Sequence, residues 1–322
     1  MASRSKYGNA LDAIGDTPLV KLSALEPDDG ASIYVKWEGA NPTGSLKDRM
    51  ALAMVLEGKR KGNLQPGEPV IEFTGGSTGT SLALVCSVLD HPLHIVTADC
   101  VADEKIESMR ALGAQLDVIE TPNGSAYDGL FEDLRDITEE KETETDGYFT
   151  DQFNNPDQLQ GYKMLGEEIL EQVPDVDDFA MIVGTGGCAM GTTQTLREHS
   201  KEITSTFVEP EESPVLSDGS TGTHSVQGTA IVGSPPLVES DVWDQIVTLP
   251  AQDGAECVKE IAEKEGLLVG TSSGMNVAAA RQIAANRTPD ESVVTIACDT
   301  GLKYLSDDIY SGKEDSSTFC LC

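Results

Sequence analysis

The sequence predicts an α/β protein made of two doubly wound domains with mainly parallel sheets. Strand-like apolar runs alternate with helical periods from residue 31 onward, a pattern that builds parallel sheets with helices on both faces. Three glycine-bearing turns each follow a strand and lead into a helix, where open sheets of this kind hold their ligands. The 322 residues suffice for two domains of ordinary size, each with its own core, and no repeat runs through the chain.

Taken in order, strands are expected at 33–37, 69–73, 93–98, 115–120, 148–153, 179–183, 204–208, 245–249 and 292–298. Each is a short apolar run of strand length, set off by turn residues and by helical periods. A first helix is expected from the neighbourhood of Lys47 to Gly58, another at 82–89, and further ones at 103–112, 127–140, 157–173, 255–264 and 275–285. Two sheets fit this order, with a join near 148–156.

The first helix opens in Asn41-Pro42-Thr43-Gly44-Ser45-Leu46-Lys47-Asp48-Arg49. Ser45 is a natural N-cap, and Asp48 three residues on completes a capping-box spacing. Lys47 then sits in the first turn, where an ammonium opposes the helix dipole at a cost of about 0.3 to 1 kcal/mol and the neutral amine is favoured. Neutral lysine is a nucleophile that makes Schiff bases. A solvated lysine near a helix start is the plainer alternative, and a second motif weighs against it. After Phe179-Ala180-Met181-Ile182-Val183 comes Gly184-Thr185-Gly186-Gly187-Cys188-Ala189-Met190-Gly191, with helix-compatible residues from Thr192. Strand, glycine turn and helix N-terminus make a phosphate cradle, because unpaired N–H groups and the helix dipole both point at the anion. A cradle plus a reactive lysine suggests pyridoxal phosphate. The third turn, Thr74-Gly75-Gly76-Ser77-Thr78-Gly79, trails Val70-Ile71-Glu72-Phe73 and offers hydroxyls and N–H groups to a substrate carboxylate; its alternative is an ordinary strand-to-helix connection.

Composition narrows the partners. Acidic residues number 55 against 22 basic, an excess of 33 negative charges, so nucleic acid and anionic membranes are not expected to bind. Aromatic content is too low for base-stacking surfaces. Self-repulsion of this size is relieved by salt, whose screening length falls to about 3 Å at 1 M, so a salt-loving source is expected. Seven cysteines at irregular spacing suggest no disulfide framework, and Cys320 with Cys322 is a weak metal signal. The four histidines show neither metal spacing nor a triad. With no signal peptide and no apolar run near the roughly 20 residues of a membrane helix, a cytoplasmic, reduced protein is expected.

In order and spacing these motifs resemble the cysteine synthase and cystathionine β-synthase family of pyridoxal-phosphate enzymes, which share the tryptophan synthase β-like fold. The resemblance runs from Ile14-Gly15-Asp16-Thr17-Pro18-Leu19, through Gly266-Leu267-Leu268-Val269-Gly270-Thr271-Ser272-Ser273-Gly274, to Lys303-Tyr304-Leu305-Ser306. It implies that Lys47 carries the cofactor, that Gly184, Thr185, Gly186, Gly187 and Cys188 hold its phosphate, and that Ser272 faces the pyridine nitrogen. It further implies that Thr74, Gly75, Gly76 and Thr78, with Gln152, grip the substrate carboxylate, and that Ser77 touches the cofactor's hydroxyl. A smaller domain at 33–147, a larger one at 1–32 plus 148–322, and a homodimer also follow from it. Three departures stand out: Ser77 replaces the usual Asn, Cys188 the usual Thr, and Cys298-Asp299-Thr300-Gly301 the usual Pro-Ser-Ser-Gly.

The chemistry these residues suggest is β-replacement. Lys47, once freed by an incoming amino acid, is a general base near Cα. A serine hydroxyl at the ring nitrogen makes a milder electron sink than an aspartate, which favours loss of a β-substituent and addition of sulfide or a thiol. No Lys or Arg occurs from 202 through 258, so O-acetylserine is preferred to dianionic phosphoserine. His224 is the one possible cation in 217–236, as a loop histidine or as a substrate contact. Alternatives are cystathionine β-synthase chemistry with homocysteine, a serine or threonine dehydratase, a cofactor-retaining binding protein, and a nicotinamide enzyme using Gly184, Gly186, Ala189 and Glu209.

Overall fold

The structure is a computed structural model, which describes residues 7–127, 129–229, 233–305 and 309–310. Cys320 and Cys322 lie outside the described residues. In chain order the elements begin with β1 (Leu19–Lys21), β2 (Ser32–Trp37), α1 (Lys47–Lys61), β3 (Val70–Phe73), α2 (Ser77–Leu89) and β4 (Leu93–Ala98). Next come α3 (Asp103–Ala111), β5 (Gln115–Ile119), α4 (Leu130–Thr145), β6 (Tyr148–Phe149), α5 (Gln158–Gln172) and β7 (Asp178–Ile182). The rest are α6 (Gly187–His199), β8 (Thr204–Pro210), β9 (Gln245–Leu249), α7 (Ala251–Glu260), α8 (Thr271–Ala284) and β10 (Ser292–Ala297).

The strands form two sheets, ordered β5-β4-β3-β6 and β1-β2-β10-β7-β8-β9. Every pairing is parallel except that of β1 with β2 at one edge. The central strands β3, β7 and β10 are buried along their whole length, as strands covered on both faces must be, and this explains their continuous apolar runs. The main core packs around the larger sheet, while two smaller clusters fill the other. One of these is aromatic: Phe73 lies 5.0 Å from Phe131, edge to face, and 5.7 Å from Phe153.

Several expectations are corrected. The strand expected at 148–153 ends at Phe149, because Thr150 and Gln152 turn to Glu72, whose carboxylate accepts from Thr150 Oγ1 at 2.7 Å and Gln152 N at 3.0 Å. Asp151, between them, takes φ 45°. β2 belongs to the six-stranded sheet and β6 to the four-stranded one, so the sheets change hands on the far side of 33 and of 147. The capping box does not form: Leu46 occupies the N-cap, and Ser45 Oγ accepts only from Lys47 N, at 3.2 Å. Asp48 instead accepts from Thr43 N at 2.8 Å, Thr43 Oγ1 at 2.5 Å and Ser81 Oγ at 2.6 Å, which ties α1 to α2. Cys86, Cys188, Cys257 and Cys298 are buried free thiols, whereas Cys100 is disulfide-bonded, against the expectation of a chain without disulfides.

Candidate active site

Four helices start at one pocket. Lys47 is the first residue of α1, Ser77 of α2 and Gly187 of α6, and Ser272 is the second of α8. Lys47, Ser77, Gly186, Cys188 and Ser272 all line the same pocket, at the carboxyl ends of β3, β7 and β10. The first turn of each helix leaves N–H groups without intrahelical partners and presents the positive end of the dipole, so the pocket is built to receive anions.

Local sequence explains the convergence. Gly186 has φ 88°, a conformation that favours glycine, and a side chain at Gly184 would meet the Gly228 carbonyl at 2.4 Å. On α8, the buried Asn276 accepts from Ile182 N at 2.6 Å and donates to Ile296 O at 2.8 Å, pinning β7 beside β10 where both strands end. Nothing in the sequence marked this amide, because its two partners are distant in the chain.

Of the residues expected at the site, Lys47, Gly75, Ser77, Thr78, Gly184, Thr185, Gly186, Cys188 and Ser272 line the pocket. Thr74, Gly76, Gly187 and Gln152 are not among its lining residues and act one layer back. Thr74 Oγ1 accepts from Gly76 N at 3.0 Å, which closes the turn. Gln152 accepts from Thr78 Oγ1 at 2.6 Å and donates to Phe73 O at 2.9 Å, so it orients Thr78. Gly187 packs on Gln158, whose Oε1 accepts from Thr185 Oγ1 at 3.0 Å.

Electrostatics separates reactive from inert groups. Burial pushes the Cys188 thiol well above its usual range and that of Cys298 up to about 12, so both stay protonated and neither is a nucleophile. Burial also raises Glu72 to about 8, against the hydrogen bonds it accepts. His224 is a buried loop staple: Nδ1 accepts from Val226 N at 3.3 Å, Nε2 lies 3.3 Å from Thr229 Oγ1, and burial lowers its pKa. It is not among the residues lining the pocket. Glu209 likewise staples a loop, accepting from Leu216 N at 2.7 Å and Ser217 N at 3.1 Å.

The pocket also holds Lys105, Gln227, Asp299 and Tyr304, to which sequence reasoning gave no role. Tyr304 lies within a matched motif and Asp299 within a segment that departs from the usual one, so both could have been singled out. Lys105 stands on α3 beside Asp103 and Glu104, like any surface lysine, and only the fold carries it to the site.

The family model of pyridoxal-phosphate-dependent enzymes matches residues 10–299. The chain belongs to that family. It is 36% identical over 308 residues to the probable cysteine synthase of Bacillus subtilis (strain 168), covering 94% of this chain and 97% of that protein. The O-acetylserine sulfhydrylase isoform 3 of Entamoeba histolytica superposes with a TM-score of 0.90 at 30% identity, over 98% of this chain and 95% of the other. An O-acetylserine-dependent cystathionine β-synthase of Helicobacter pylori gives a TM-score of 0.86 at 33% identity, over 95% and 99% of the two chains. The fold is therefore the tryptophan synthase β-like fold and the cofactor is pyridoxal phosphate, which removes the nicotinamide alternative.

The residues present fit that group. A lysine amine, a helix start whose glycines leave no room for side chains, and a serine hydroxyl at another helix start share one pocket. Among the described residues no helix is long and apolar enough to cross a membrane.

Proposed function

We propose that this enzyme makes L-cysteine from O-acetylserine and sulfide by β-replacement. One observation carries it: Lys47 opens onto the same pocket as the glycine cradle and the hydroxyl-bearing turn after β3. The likeness to enzymes named cysteine synthase and O-acetylserine sulfhydrylase supports the same reaction, as does the lack of Lys or Arg from 202 through 258.

In this reading Lys47 would hold the cofactor covalently, N–H groups at the start of α6 would hold its phosphate, and the Ser272 hydroxyl would serve its ring nitrogen. Bound here, pyridoxal phosphate supplies an electron-withdrawing ring conjugated to the substrate nitrogen. Thr78 and its neighbours at the start of α2 bind the substrate carboxylate. The Lys47 amine, beside the bound substrate, would take the proton from Cα. The Cβ–O bond then breaks, acetate leaves with the bonding pair, sulfide forms the new C–S bond at Cβ, and Lys47 returns the proton to Cα. Water is held off by the buried walls of Met181, Ile182 and Ala189. We place the four-stranded sheet and its helices as a smaller domain beside the larger one, and the whole as a cytoplasmic homodimer from a salt-rich source.

Borohydride reduction of the yellow holoenzyme, then peptide mass spectrometry, is expected to find the cofactor on Lys47. Purified protein is expected to release acetate and form cysteine from O-acetylserine and sulfide, and Lys47→Ala to lose both. An unmodified Lys47 overturns the assignment. The H. pylori neighbour favours a second reading in which homocysteine is the nucleophile; a higher kcat/KM with homocysteine than with sulfide selects it.

A further inference from the structure

Lys105 is 6% exposed and lies at the meeting of three segments that line or back the pocket. Its aliphatic stem packs on the turn after β3, so that a side chain at Gly76 would strike Lys105 Cδ at 2.4 Å. Its Nζ donates to Gln227 Oε1 at 2.7 Å and sits 4.7 Å from the centre of the Tyr304 ring. Gln227 is itself fixed, its N–H donating to Thr271 Oγ1 at 2.9 Å at the start of α8. Lys105 thus reaches from α3, which follows β4 of the smaller sheet, to groups carried by the larger one.

These two contacts, an amide oxygen and a ring face, are neutral, and the Asp299 carboxyl also acts on the Lys105 charge; a substrate carboxylate would replace the amide oxygen with a hydrogen bond between two opposite charges. Among the described residues that line the pocket, Asp299 is the one acid, set against Lys47, Lys105 and four helix starts. The protein as a whole carries a formal charge of −33, so an anion approaching it is repelled until it meets local positive charge.

We propose that Lys105 is a specificity-determining residue that binds an anionic group on the sulfur nucleophile, so that the second-substrate class includes thiols bearing a carboxylate. This rests on the β-replacement reading above. The first substrate needs no such cation, because its ester is uncharged and its carboxylate is assigned to the turn at 74–78. The thiol brings its sulfur to Cβ while its carboxylate takes the place of Gln227 at Lys105.

The test compares mercaptoacetate with 2-mercaptoethanol, thiols of similar size that differ in charge, on the holoenzyme with O-acetylserine. Wild-type protein is expected to favour mercaptoacetate in kcat/KM by roughly ten- to a hundredfold after correction for thiolate fraction, the range set by one hydrogen bond to a charged group. Lys105→Gln is expected to erase that ratio while leaving the KM of O-acetylserine within about twofold, and Lys105→Arg to keep most of it. Equilibrium binding of S-carboxymethylcysteine against S-methylcysteine is expected to show the same loss without turnover. An unchanged ratio in Lys105→Gln overturns the proposal. So does a large rise in the KM of O-acetylserine at constant ratio, which assigns Lys105 to the substrate carboxylate instead. Absence of acetate release from O-acetylserine with any thiol fails the β-replacement reading itself, and the proposal with it.

Discussion

Two buried groups of charges flank α1, and they are built on opposite terms. Near its start, facing α5, Arg49 donates Nε and a terminal nitrogen to Glu38 at 2.6 and 2.9 Å, and two more N–H groups to Glu168 at 2.7 and 2.8 Å. Lys36 adds bonds to Glu168, Thr17 O and Gln172 Oε1 at 2.7, 2.7 and 2.9 Å. Beside the pocket, Asp299 is buried and Lys303 half-buried, yet among the described residues Asp299 Oδ1 and Lys303 Nζ, both closed off from solvent, have no hydrogen-bond partner of normal geometry. The other Asp299 oxygen accepts from Tyr304 Oη at 2.5 Å, and the Gly270 N–H with the charges of Lys303 and Lys105 also acts on the carboxyl. A saturated ionic network locks a frame, while an undersatisfied pair beside a ligand pocket leaves polar capacity for what binds there.

The sharpest way to break the comparison is to delete the hub of the saturated network. Arg49→Ala leaves Glu38 without its ion-pair partner and Glu168 with Lys36 alone, and is expected to cost about 3 to 5 kcal/mol in denaturant unfolding, the usual loss when one partner of a buried ion pair is removed. A loss under about 1 kcal/mol would put this network on a par with surface pairs such as Arg110–Glu107, which contribute little.

Acid comes next in size. Burial works to raise the pKa of Glu168, but Arg49 and then Lys36 bring it down to about 2 from an ordinary 4.5. The folded state therefore binds this proton less readily than the unfolded chain. The stabilisation, about 3 kcal/mol from a shift of this size, is complete above pH 4.5 and is lost as pH falls toward 2. Glu168→Gln is expected to be less stable at neutral pH and to show a flatter acid limb.

Asp299 has the opposite sign, because burial raises its pKa while Lys303 and Tyr304 only partly oppose. Its folded form holds the proton more tightly, so its contribution is greatest below the ordinary carboxylate range and fades as pH rises above it. The double variant Asp299→Asn with Lys303→Met is expected to be neutral or more stable by roughly 1 to 2 kcal/mol at pH 8, since it removes two desolvated charges that lack full partners. Loss of more than that would place the pair with the frame rather than with the pocket.

The contrast also marks what was legible in the sequence. The parallel sheets, the glycine turn after β7 and the helix start at Lys47 could be read because each is written in contiguous residues: a largely apolar strand, a glycine run, a helix start. Helix starts were placed late at Ser77, Gly187 and Thr271, because glycine and hydroxyl residues have weak helix propensity and read as turn. Arg49 with Glu168, and Lys105 with Gln227, are 119 and 122 residues apart. No spacing rule connects such pairs, so the charges that hold the frame and those that enter the pocket looked alike until the chain was folded.

Salt separates the frame from the surface by the smallest effect of all. Added KCl screens charges in solvent and scarcely touches ones from which solvent is excluded. With an excess of 33 negative charges, wild-type Tm is expected to climb steeply from low salt to 2 M KCl. Arg49→Ala is expected to climb in parallel, keeping its deficit in unfolding free energy to within about 0.5 kcal/mol, the ordinary limit of additivity for independent contributions. If salt instead closed most of that gap, Glu38 and Glu168 would be reached by counterions, and the ionic group beneath α1 would belong to the surface despite its burial.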